Sequence, residues 1–171
     1  MILRLAGIAD APALAALYAA NRDFLAPFDP IRSDDFYTAE GQRARLARSI
    51  GTYAILDDDE IAGTLGISNV VLGALRSANV GYWVDQARNG KGLATRALGA
   101  AVEIAFGELG LHRLEAGTLV GNVGSQRVLE RNGFERIGVA PRYLLIAGAW
   151  RDHVLTALTH PAFDDAWIFG R

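Results

Sequence analysis

Residues 78–120 constrain the fold more than any other stretch of the chain. ANVGYWV at 78–84 reads as a strand, a helix follows from about Gly92 to Leu109, and HRLEAGTLV at 112–120 reads as a second strand. Within the helix, Leu93, Ala97, Ala101, Ile104 and Ala105 share one face, and Leu98, Val102, Phe106 and Leu109 widen it. An apolar face that broad has to be buried against another layer.

The remaining segments supply that layer. ILRLA at 2–6, TYAILD at 52–57 and IAGTLGISNVVL at 61–72 read as strands, the last two joined through the polar turn Asp57-Asp58-Asp59-Glu60. A helix is expected over about residues 11–22, with Asp10 as its N-cap and Leu14, Leu17, Tyr18 and Asn21 on one side. DFLAPFDPIRSDDFY at 23–37 carries Pro27 and Pro30 and reads as a loop, with more Phe than a plain connector needs. Thr38, Gly41, Arg45 and Leu46 mark a helix ending near Ile50. A short helix from Gly124 to Asn132 closes at Gly133. Two strands fill 134–159 around the Gly148-Ala149 turn, and 161–171 is a tail. Strands come first as a meander and then alternate with helices. That order implies an α/β sandwich with a mixed sheet. No linker divides the chain, so one domain is expected over 1–171.

Charge and composition remove several functions. Seventeen basic against nineteen acidic residues leave a net charge of −2, which argues against nonspecific binding of nucleic acid. The chain has no Cys, so disulfides, thiolate metal sites and a Cys nucleophile are excluded. His112, His153 and His160 are scattered without matching carboxylates, so no metal site is expected. Neither a secretory signal nor a membrane span is legible, and a cytoplasmic protein is expected.

The chemistry concentrates in Asn89-Gly90-Lys91-Gly92-Leu93-Ala94-Thr95, between a strand and the long helix. Gly90 and Gly92 let a ligand approach the backbone closely. The first helical turn adds unpaired N–H groups and the positive end of the helix dipole, a combination suited to a pyrophosphate. The Lys-Ser/Thr pair of a P-loop is absent, and the third Gly position of a dinucleotide fingerprint, residue 95, is Thr. Two glycines that merely end a strand and start a helix are the alternative.

Downstream stand Asn122-Val123-Gly124-Ser125 and Val128-Leu129-Glu130-Arg131-Asn132-Gly133-Phe134. With these segments the chain resembles the GNAT acetyltransferases, in particular the branch of ribosomal-protein N-terminal alanine or serine acetyltransferases. GYWVD at 81–85, EAGTL at 115–119, WRDHVLTAL at 150–158 and LAPFDP at 25–30 carry the likeness over most of the chain. The family's pyrophosphate motif falls on Asn89, Gly92 and Ala94, with Asn89 where the family has Arg or Gln.

The resemblance implies one mixed, mostly antiparallel, twisted sheet of about seven strands with helices on both faces. It also implies acetyl-CoA as donor and a primary amine as acceptor, either a protein N-terminus or a small molecule. Trp83, Val84 and Asp85 would line a slot for the pantetheine arm, one backbone N–H polarising the thioester carbonyl. Residues 89–95 would hold the pyrophosphate, and Asn122 would bond the pantetheine. Lys91 and Arg131 either add charge near the phosphates or are solvated. Ser125 matches the place where some relatives present a hydroxyl to the coenzyme sulfur; helix capping is its other reading. Glu115 and His153 are the candidate bases, each with a structural reading beside it. Phe24, Phe28, Phe36, Tyr37, Arg142, Tyr143 and Trp150 surround the expected acceptor, of which Phe28, Tyr143 and Trp150 are taken as contacts; about half of the set should pack on the sheet instead. Without a Cys, direct attack of the amine in a ternary complex is the natural route. A chain that binds acyl-CoA as a sensor or interaction module without turnover is the competing reading. Apolar strand edges permit a homodimer.

Overall fold

The computed structural model describes residues 1–162. From residue 163 on, the expected tail lies outside the described residues. Seven strands form one sheet: β1 (Leu3–Leu5), β2 (Thr52–Asp57), β3 (Glu60–Val71), β4 (Ser77–Val84), β5 (Arg113–Leu119), β6 (Glu135–Ile146) and β7 (Ala149–Thr159). Their order across the sheet is β1-β2-β3-β4-β5-β7-β6. Every neighbouring pair is antiparallel except β4 and β5, which are parallel. Short turns join β2 to β3, β3 to β4 and β6 to β7, whereas a parallel pair needs a crossover. Here the crossover is α4 (Leu93–Glu103), continued as a π-helical turn over Ile104–Glu108.

The remaining helices are α1 (Ala11–Ala20), α2 (Arg22–Leu25), α3 (Ala39–Arg48) and α5 (Val123–Arg131). Strand alternation sorts them onto two faces. Ile55, Leu65, Ile67, Val80, Val84, Leu114 and Ala116 meet Leu93, Ala97, Leu98 and Ala101 of α4 and Leu129 of α5 in one core. Trp83 and Ile61 point the other way, onto Ala11, Leu14 and Tyr18 of α1, Leu25 and Leu46.

Three expectations change in detail. Asp10 precedes α1, but its carboxylate does not cap the helix. Both its oxygens accept from Arg4, each at 2.7 Å, and one accepts from the Gly7 amide at 2.8 Å. The Arg4 hydrogen bond holds this carboxyl below its ordinary value against the opposing effect of burial. The segment 23–37 is not all loop. Its first residues turn as α2 and Asp34–Tyr37 form a 3₁₀ turn, because Phe36 packs edge-on against Tyr18 at 4.8 Å between ring centres. Leu109 is exposed rather than part of the apolar face, since the π turn carries it past the sheet.

Candidate active site

The two parallel strands at the sheet's centre separate soon after they meet. β4 and β5 pair only at Ser77/Arg113, Ala78/Leu114 and Asn79/Glu115. Beyond that point β4 follows β3 to Val84, and β5 follows β7 to Leu119. A gap therefore opens between residues 80–84 and 116–119. The Asp85 amide donates to the Ala62 carbonyl at 2.7 Å, toward β3. Strand alternation then turns the Trp83 amide to β3 as well, and directs those of Tyr82 and Val84 into the gap. Asp85 itself is committed within the protein. Its carbonyl accepts from the Arg88 amide at 2.9 Å and its carboxylate from the Ala87 amide at 3.3 Å. Arg88 also binds Asp57 and Glu60, clamping the end of β4 to the β2–β3 turn.

Past this clamp lies the glycine loop. Gly90 and Gly92 hold φ of 79° and 74°, the left-handed region where a side chain is strained. A Cβ at either would meet no atom within 4 Å, so the backbone faces open space. The first amide to donate into α4 is that of Arg96, to the Gly92 carbonyl at 3.0 Å. Among the described residues, the amides from Gly90 to Thr95 donate to no acceptor. These unpaired donors, at the positive end of an 11-residue helix, form an anion cradle made of backbone. Leu93 anchors the turn by burial; Asn89 and Lys91 are exposed. Asn132 ties the helices together, donating to the Thr95 carbonyl at 3.2 Å and the Val128 carbonyl at 2.9 Å. Arg131, beside it, is exposed in the last turn of α5.

The start of α5 sits across the gap from β4. Asn122 caps the helix, its Oδ1 accepting the Ser125 amide at 3.1 Å, while its side-chain NH₂ donates to no group among the described residues. Ser125 is thus not the cap. Its hydroxyl lies 3.0 Å from the Tyr82 hydroxyl, which also donates to the Ser125 carbonyl at 3.2 Å. Burial pushes the Tyr82 phenol up to about 12, with the Ser125 hydrogen bond opposing. Tyr82 stands one place before residues 83–85, which the resemblance marks as lining the slot. Alternation within GYWVD was the available signal, since it sends Tyr82 and Trp83 to opposite faces.

The two candidate bases differ in what holds them. Glu115 is the last residue of β5 paired with β4, and its Oε1 accepts from Arg113 Nε at 2.6 Å. His153 is buried, with Nδ1 2.9 Å from the Arg151 carbonyl. A carbonyl only accepts, so Nδ1 carries the hydrogen and neutral His153 keeps its basic lone pair on Nε2. The Tyr143 ring packs tilted against the His153 ring, 5.6 Å between centres, and both lie beside Gly117. No group of three potential metal ligands occurs among the described residues.

A cavity of about 270 Å³ opens on the α1 side of β4, lined by Tyr18, Leu25, Phe28, Asp29, Arg32, Thr64, Gly81, Tyr82 and Trp83. Trp83 Nε1 donates to the Tyr18 hydroxyl at 2.9 Å, which in turn lies 3.1 Å from Thr64 Oγ1, so its wall is fixed by a hydrogen-bonded chain. Of the expected acceptor contacts, Phe28 lines this cavity, whereas Tyr143 stands over Gly117 and Trp150 is 61% exposed on the β6–β7 hairpin. The hairpin reaches the cavity's rim through the Ala147 amide, which donates to the Asp29 carbonyl at 3.0 Å. Phe36 and Tyr37 pack on the second core instead, and Arg142 sits at a bulge with its amide on Asp152. A larger cavity of about 600 Å³ lies between α3 and residues 32–38, and none of its walls belongs to β4 or β5.

Comparison with known proteins gives this geometry a context. Residues 1–135 match the acetyltransferase (GNAT) domain family. The chain is 40% identical over 181 aligned positions to the ribosomal protein uS5-alanine N-acetyltransferase of Escherichia coli, covering 100% of this chain and 91% of that protein. Among solved structures, the ribosomal-protein-S5-alanine acetyltransferase of Vibrio fischeri superimposes with a TM-score of 0.90 at 33% identity, covering 95% of this chain and 94% of that one. Mycobacterium smegmatis RimJ, solved in complex with CoA-disulfide, gives a TM-score of 0.88 at 34% identity, covering 99% and 88%.

Proposed function

Since the chain belongs to the GNAT family of acetyl-CoA-dependent N-acetyltransferases, we propose that it moves the acetyl group of acetyl-CoA onto a primary amine by direct attack in a ternary complex. The observation that carries this reading is the opening of the β4–β5 gap beside the unpaired amides of residues 90–95. A diphosphate fits those amides, with Asn89, Lys91, Gly92, Leu93 and Ala94 around it and Arg131 close by. An extended arm fits the gap as an added strand, meeting the free edge of β4 and the unused NH₂ of Asn122. Acetyl-CoA supplies an acyl carbon activated as a thioester, with a thiolate to leave. The Val84 amide, turned into the gap, is the donor placed to polarise the acyl oxygen. Ser125 serves the sulfur. Glu115 or His153 takes the proton of the amine, and His153 offers the free nitrogen while Glu115 is engaged by Arg113.

The acceptor enters from the cavity beside Trp83. A protein N-terminus of the ribosomal kind is the leading acceptor, supported by the names of the relatives at 33–40% identity. Its terminal residue would lie against Phe28 and the Tyr18–Trp83 wall, and Tyr143 and Trp150 would meet the chain that follows. A small-molecule amine is the other acceptor class. Thiol release from acetyl-CoA, measured with peptides bearing free N-terminal Ala or Ser and with small amines, tests the assignment. Release with the peptides supports it. Coenzyme-dependent thermal stabilisation without release to any amine would instead mark a binding module.

A further inference from the structure

We infer that Tyr82 is a positioning residue, holding the Ser125 hydroxyl so that it donates a hydrogen bond to the departing sulfur. This deepens the reading above and rests on it. The pair spans the gap: Tyr82 belongs to β4 beyond its last pairing with β5, and Ser125 to the first turn of α5. Two hydrogen bonds join them, at 3.0 and 3.2 Å, and both run through the one phenol oxygen. An arm threaded between the strands has to pass this bridge. Ser125 is relieved of the capping duty by Asn122, so its hydroxyl is not needed to hold the helix.

The chemistry follows from which proton goes where. As the amine nitrogen bonds to the acyl carbon, the C–S bond breaks and its electron pair passes to sulfur. The nitrogen's proton leaves to the base on the acceptor side. A thiol ionises near about 8.5, well below either hydroxyl, so neither Ser125 nor Tyr82 surrenders its proton. With the phenol ionising only at about 12, Tyr82 stays a donor at every working pH. The phenol has one hydrogen. Turned from the Ser125 carbonyl to Oγ, it frees the serine hydrogen to point at sulfur. The result is a two-step donor chain, from phenol to serine to thiolate, in which each bond polarises the next.

A bridge that merely braces α5 against β4 predicts different measurements. The first readout is ultraviolet titration of the thiol of coenzyme A bound to the protein. Wild type is expected to ionise it about one pH unit lower than either Tyr82→Phe or Ser125→Ala. The second is a double-mutant cycle on acetyl transfer to a peptide with a free N-terminal alanine. Tyr82→Phe should lower kcat about tenfold and leave KM for acetyl-CoA within about twofold. In the Ser125→Ala background the same substitution should change nothing, because Tyr82 acts through Ser125. Thermal melts of both variants check that each is folded. Equal thiol titrations in wild type and Tyr82→Phe overturn the inference, as does an undiminished effect of Tyr82→Phe without Ser125. If coenzyme A does not stabilise the wild-type protein at all, the reading of the site falls. If it binds and acetyl transfer proceeds while Tyr82→Phe titrates like wild type, only the role of Tyr82 falls.

Discussion

A β-branched residue at position 92 would have to hold φ near 74°, where its Cβ crowds the following carbonyl. Gly92→Val is therefore expected to lose about 1–2 kcal/mol of stability in urea unfolding. The packed core is untouched, because a Cβ there meets nothing. The larger effect falls on the ligand, since the valine side chain occupies the open side of the cradle. Calorimetry should show coenzyme A affinity lost while the fold persists. Asp10 gives a pH-dependent counterpart. Its carboxyl is held below the ordinary 3.8 by Arg4, so its contribution is present above that value and disappears as pH falls through the lowered one. Asp10→Asn should be less stable than wild type at neutral pH, and the difference should close in acid. The cradle was legible in the sequence because consecutive residues make it: two glycines and a helix start. Tyr82 was not, because its importance comes from Ser125, 43 residues away. Asp10 was legible as a helix-start residue but not as an ion-pair partner, since Arg4 reaches it only once β1 is in place.

Among the elements, α5 depends most visibly on one side chain. Asn122 satisfies the Ser125 amide, and a cap of this kind contributes about 1 kcal/mol. Asn122→Ala should cost about that much in thermal unfolding, and it should also raise KM for acetyl-CoA, because the side-chain NH₂ disappears with the cap. A cap without a ligand role would leave KM unchanged. Strands and long helices were readable from their apolar spacing, which is local. The segment 23–37 was not, because its turns form around Tyr18 and the face of α1. The π turn after α4 escaped for a related reason: the helical pattern runs on through Leu109, while the backbone widens to bring Leu111 into the core. The acceptor set divided along the same line. Phe28 faces the cavity, Phe36 is drawn into packing, and Trp150 stays on the surface.

At the scale of the molecule, the sheet has an unusual weak line. Most sheets present their unpaired backbone at the rim, where charges or turns protect it. Here the rim strands β1 and β6 are paired on one side as any edge is, and a further stretch of free backbone runs down the middle, along residues 80–84. Amides such as those of Tyr82 and Val84 therefore lack the protection that a central strand normally confers. Deuterium uptake should be fast at these two positions in the free protein, although Val80 and Val84 are among its buried residues. Saturation with coenzyme A should slow it more than at β1, which takes no part in the gap. The ligand then acts as an interior strand delivered from outside, and the free protein breathes at its centre before it frays at its margins.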